Sequence, residues 1–91
     1  MTPKIQNLLE IIVQHDVLLR QLHGRIDGDV DYERMRIRID PRQTIVQRID
    51  TLIHEALHAY YRDQGSDVCE QRILRETTQI MRILYDDKYG K

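Results

Sequence analysis

Between Arg34 and Ile39 the chain alternates strictly, with Met35, Ile37 and Ile39 separated by Arg34, Arg36 and Arg38. A period of two marks a strand with one buried face. Before and after this stretch the apolar residues recur every three or four positions, which is the helical period. A change from helix to strand and back within 91 residues restricts the chain to a small α+β fold. One domain spanning residues 1–91 is expected, because no repeat, low-complexity tract or linker interrupts it.

The first helix is expected over roughly residues 4–22, where Ile5, Leu8, Leu9, Ile12, Leu19 and Leu22 form a stripe broken only by Asp16. Gly24 ends it. Ile26 and Val30 belong to an earlier extended piece, with a turn at Asp27-Gly28 or at Asp31–Arg34. Two or three short antiparallel strands follow from this. Asp40 is expected to cap the second helix, with Pro41 at its first position and Gln43 at capping-box spacing. Ile45, Ile49, Leu52, Ile53, Ala56 and Tyr60 carry that helix to about Asp63. After Gly65, Ser66 or Asp67 starts a third helix through Ile73, Leu74, Thr77, Ile80, Met81 and Leu84. Residues 86–91 read as a polar tail.

Chemistry is concentrated in His54-Glu55-Ala56-Leu57-His58. Two histidines four residues apart on a helix share one face and can hold one metal ion. Imidazole nitrogen suits zinc, which takes three protein ligands at catalytic sites and leaves a fourth position for water. Zinc lowers the pKa of such a water to about 7. Glu55, beside the first histidine, is placed to act as general base rather than as a ligand. The expected cofactor is therefore one Zn²⁺ per chain.

A third ligand has to come from His15, His23, Cys69, Glu70 or Glu76. Glu70 is favoured, since it shares a helix face with Ile73, Leu74, Thr77 and Met81, and a carboxylate aimed at a thin core needs a partner. The bland reading of Glu70 is a capping box with Asp67. Cys69 is the next candidate, and Glu76, rotated toward Arg72 and Gln79, reads as solvated.

The segments Asp31–Arg34 before the strand Met35–Ile39, Thr51–Ala59 around the two histidines, and Glu70 before an apolar helix resemble the gluzincin branch of zinc metallopeptidases. The closest likeness is to its smallest members, the minigluzincins, and to similar short phage and archaeal metallopeptidase-like proteins; it covers roughly residues 24–87. The resemblance implies a minimal zincin-like fold of backing helix, small antiparallel sheet, active-site helix and glutamate helix. It implies zinc held by His54, His58 and Glu70, Glu55 as the catalytic base, and peptide-bond hydrolysis. It also implies that the strand 34–39 lines the cleft and pairs with an extended peptide. Two features depart from the family pattern. Ile73 and Leu74 stand where many gluzincins carry an acidic residue or alanine, and no clear downstream Tyr or His is assigned to stabilise an oxyanion, with Tyr60, Tyr61 and Tyr85 no more than candidates.

The alternative is a zinc-stabilised protein-binding module with little or no turnover, because 91 residues leave almost nothing for substrate subsites. A formal net charge of -1 gives no reason to expect nucleic acid or membrane as partner, although Arg34, Arg36, Arg38, Arg42 and Arg48 are the residues a nucleic-acid binder would use. Expected partners are a peptide or protein substrate and, as a candidate, a second copy in a homodimer. A single Cys69 and no secretion signal point to the cytoplasm. The tail Tyr85–Lys91 is a candidate cover for the cleft that would keep the protein latent.

Overall fold

The computed structural model describes residues 3–24 and 26–89. The element order is α1 (Pro3–Gln14), β1 (Asp16–Leu19), β2 (Gly28–Asp31), β3 (Arg36–Ile39), α2 (Ile45–Asp63) and α3 (Glu70–Tyr89). The α+β class is as expected, but the sheet is mixed rather than antiparallel. Its order is β1-β3-β2, with β2 antiparallel and β1 parallel to β3. The alternation that marks β3 is real, since Ile37 and Ile39 are buried and Arg36 is exposed. Met35 falls outside the strand. It ends the hairpin turn in the left-handed region at φ 52, and Asp31 Oδ1 accepts from the backbone N–H groups of Glu33 and Arg34 to shape that turn.

The first helix is shorter than its stripe predicts. It stops at Gln14, and Asp16–Leu19 join the sheet, with the Asp16 N–H donating to Met35 O and the Arg20 N–H to Ile39 O. The reason lies in the run Val17-Leu18-Leu19, which no helix can place on one face. A strand pairing that satisfies one edge of β3 prevails over the helical spacing of Leu19 and Leu22.

The second helix also starts later than expected. Its N-cap is Thr44, whose hydroxyl accepts from the Gln47 N–H while the Gln47 side chain accepts from the Thr44 N–H. Asp40 is instead buried under the loop after β1, where its carboxylate accepts from the Leu22 N–H and from Arg42. Those donors hold its pKa far below the ordinary value. At the far end of α2, Gly65 takes φ +68 and the Ser66 N–H reaches back to Tyr61 O, closing the helix C-terminus.

Helix α2 is the centre of the molecule, lying on β2 and β3 and flanked by α1 and α3. Leu8 and Ile11, Ile53, Ala56, Leu57 and Ala59, and Ile73 and Ile80 make one core across the three helices. Leu57 and Ile73 are fully buried, each contributing roughly 1.5–3 kcal/mol of transfer free energy. Leu74 is exposed and Glu76 is buried, so the inward face of α3 is Ile73, Glu76, Thr77 and Ile80, rotated from the expected one. Glu76 corrects its reading as solvated. It accepts from Lys4 Nζ at 2.6 Å, Tyr61 Oη at 2.5 Å and Arg72 Nε at 2.9 Å, tying all three helices at one point.

Helix α3 runs on through Tyr89, so residues 86–89 are helical rather than a loose tail. At about 1.5 Å per residue the helix carries Tyr89 roughly 28 Å from Glu70. That direction takes Tyr85–Tyr89 away from the cleft of their own molecule; Gly90 and Lys91 lie outside the described residues. Among the described residues no helix is long and apolar enough to cross a membrane.

Candidate metal centre

His54 and His58 project from the middle of α2, one turn apart, and Glu70 is the first residue of α3. The turn closed by Gly65 brings the start of α3 back over the histidine-bearing face. The two Nε2 atoms are 3.3 Å apart. Glu70 Oε1 is 2.6 Å from His54 Nε2, and Oε2 is 3.3 Å from His58 Nε2. The three donor atoms lie within 4.8 Å of one another, the one such group among the described residues. Glu70 is 56% exposed, so it is no core carboxylate. Its aim comes from the helix start, where the free N–H groups also favour a negative charge.

Two imidazole nitrogens and a carboxylate are donors that a zinc ion takes, and they lie close enough together to hold one metal ion, with Glu70 Oε1 at hydrogen-bond distance from His54 Nε2. Two nitrogens bound to one tetrahedral zinc at about 2.05 Å stand about 3.3 Å apart, which is the separation of the two Nε2 atoms. Two imidazole lone pairs facing each other at this distance repel unless a proton or a cation lies between them.

Glu55 is on the same helix beside His54 and half-buried against β2. Burial, reinforced by the carboxylates of Asp29 and Glu70, pushes its pKa up to about 7. A cation among the neighbouring donors would act in the opposite direction. Gly28 makes room for this arrangement. A Cβ there would stand 2.4 Å from Thr51 Cγ2, 2.9 Å from Arg38 O and 3.7 Å from Glu55 Cγ. Only a residue without a side chain lets β2 lie this close to α2. Gly28 is therefore the first residue of a strand wall and not a turn residue. The cleft between that wall and α3 has a volume of about 470 Å³ and is lined by Gly28, Thr51, His54, Glu55, Glu70 and Leu74, among others. Gln43 braces two of the lining residues from behind, donating to Asp27 O and Asp40 O and accepting from the Thr51 hydroxyl.

Other candidates lie elsewhere. A His15 ring nitrogen is 2.7 Å from Ile11 O at the end of α1. His23 and Cys69 are exposed and outside the donor group, and Glu76 is held by Lys4, Tyr61 and Arg72. β3, expected to offer its edge to a peptide, is the central strand with both edges paired; β2 forms the wall of the cleft. Tyr61 is committed to Glu76 and Tyr60 rests edge-on against Tyr61. Tyr32, read in the sequence only as part of the segment before β3, lines a hollow of about 330 Å³ with His58 and Arg62. Its ring lies 4.2 Å below the Arg62 guanidinium. Of the arginines named for nucleic acid, Arg34, Arg38 and Arg42 pair with Asp31, Asp29 and Asp40, and Arg48 donates to Gln43 O and Pro41 O.

No family model, no curated protein and no solved structure matches this chain.

Proposed function

We propose that this chain is a small zinc-dependent peptidase of the gluzincin type, with His54, His58 and Glu70 as ligands of one zinc ion and Glu55 as general base. The observation that carries the reading is the convergence of two imidazole nitrogens and a carboxylate in one cleft, with a second, non-ligating carboxylate beside them. When bound, zinc supplies a Lewis acid that makes water nucleophilic near neutral pH. The chain's own residues do the rest. Glu55 takes the proton of the attacking water and passes it to the leaving amine. The β2 backbone at Gly28 gives an extended peptide a flat wall close to that carboxylate. Leu74, half-exposed at the cleft, offers an apolar contact to a substrate side chain.

One observation favours the second reading, a zinc-stabilised binding module with weak or no turnover. Tyr60 and Tyr61 are turned to the Glu76 side of the core, and Tyr85 lies some 22 Å along α3 from Glu70, so no tyrosine expected to stabilise an oxyanion is at the cleft.

A mixture of unstructured peptides incubated with the zinc-loaded chain, and read by mass spectrometry, separates the two. Peptidase activity is expected to disappear on chelation and return with added zinc. Intact peptides together with a zinc-dependent rise in melting temperature would replace the peptidase reading with the module reading.

A further inference from the structure

β1 is an edge strand whose outer side has no partner among the described residues. It pairs with β3 on one side only, and all four of its residues are exposed. Natural edges are usually blunted by lysine, proline or a bulge, and Asp16-Val17-Leu18-Leu19-Arg20 carries none of these. The parallel register with β3 turns the backbone of residues 16, 18 and 20 inward, as the Asp16 and Arg20 N–H bonds to β3 show. The N–H and C=O groups of Val17 and Leu19 therefore point out of the sheet.

The five residues are self-complementary when two copies run antiparallel about Leu18. Val17 of one copy then faces Leu19 of the other, and each such pair exchanges two backbone hydrogen bonds through the outward groups. Leu18 faces Leu18. Asp16 faces Arg20 at both ends, in the non-hydrogen-bonded positions where side chains approach most closely. Among the described residues neither the Asp16 carboxylate nor the Arg20 guanidinium has a partner within the chain, so both are free to make these pairs. Leu9 and Val13, 45% and 84% exposed one turn apart on α1, extend the apolar surface into the helix that leads directly to this edge.

We infer that the β1 edge is a homotypic interface, at which a second copy of this chain adds its own β1 antiparallel and centred on Leu18. The partner is fixed by charge complementarity, because the sequence Asp-Val-Leu-Leu-Arg reads against its own reverse with opposite charges at both ends. The interface is isologous and closes at two copies. The product is a six-stranded sheet of order β2-β3-β1-β1-β3-β2, with the candidate metal centres at its two outer ends and clear of the contact. A ribbon of five residues is a small interface, so the dimer is a reversible one with a dissociation constant on the order of tens of micromolar.

Sedimentation equilibrium of the full chain tests this without reference to zinc or activity. The wild type is expected to dimerise at about 100 μM. Asp16→Arg and Arg20→Asp each place two like-charged pairs across the two-fold axis and are expected to weaken self-association by about tenfold or more. Mixing these two variants restores opposite charges at both ends, so the mixture is expected to form a heterodimer as readily as the wild type dimerises. The double variant, Asp16→Arg with Arg20→Asp, is expected to recover self-association. A monomeric wild type at that concentration overturns the inference and leaves the edge to an extended segment of another protein. Single variants that dimerise as well as the wild type, or a mixture that fails to associate, overturn it equally.

Discussion

Glu55→Gln is expected to bind zinc as well as the wild type does and to lose peptide hydrolysis by a factor of about 10²–10⁴. Glutamine keeps the size of the side chain and its fit against β2 near Gly28, where a Cβ would already approach Glu55 Cγ to 3.7 Å. It keeps His54, His58 and Glu70 where they are. What it loses is the ability to take up a proton, which is the role proposed for this position. Zinc content by elemental analysis and turnover of a cleaved peptide are to be measured on the same preparation. Full zinc with turnover lost is the expected pair. Undiminished turnover would remove Glu55 from the mechanism.

The second large effect is on stability. The Glu76 carboxylate is 8% exposed and accepts from three donors on three helices. Burial alone would raise its pKa; hydrogen bonds from Lys4, Tyr61 and Arg72 outweigh that and hold it at about 2, below the ordinary 4.5. A carboxyl depressed in the folded state stabilises the fold above its ordinary pKa, and that contribution is lost as pH falls through the folded value. A shift of this size corresponds to about 3 kcal/mol, a large share of the stability of so small a chain. Glu76→Ala, which also removes the acceptor of the Tyr61 hydroxyl and leaves it only the bond from Lys4 Nζ, is expected to cost about 3–5 kcal/mol. Chemical denaturation of wild type and Glu76→Gln between pH 6 and 2 checks the sign, since the wild type should lose stability over roughly pH 4.5 to 2 and the variant should lose less. Parallel curves for the two proteins would mean that the cluster does not hold the helices together.

Most of the fold was legible because its strongest signals are local. The alternation at Ile37 and Ile39, the amphipathic run from Ile45 to Tyr60 and the punctuation at Gly65 each mark an element by themselves. The failures occurred where a long-range partner decides. Leu19 continues a helical stripe in the sequence, yet β3 is short of one edge partner and takes residues 16–19 into the sheet. Asp40-Pro41 reads as a helix start, yet Asp40 is required by Leu22, eighteen residues earlier; the Thr44–Gln47 pair carried the same signature four residues later. Glu76 looked solvated because nothing local reveals that Lys4 and Tyr61 converge on it. At the candidate site, the histidine spacing depends only on helix geometry, so His54 and His58 were found directly. Glu70 was found through an inward face that proved to be rotated, and its aim at the histidines comes from the turn between α2 and α3. Gly28 read as a turn residue and Tyr32 as part of a turn segment, because their positions beside α2 come from the close approach of β2 to that helix, which leaves no spacing to read.

The most direct measurement is the zinc content of the purified chain after equilibration with excess zinc and desalting, for the wild type, Glu70→Ala and Glu76→Ala. One zinc per chain is expected in the wild type. Loss of an outer supporting group weakens a metal site by about 10- to 100-fold, so removing Glu70 as a direct ligand is expected to weaken it by more, while Glu76→Ala keeps its zinc despite its lower stability. A wild type that holds no zinc, or a Glu70→Ala variant that holds it as tightly as the wild type, would contradict the metal centre on which the proposed function rests.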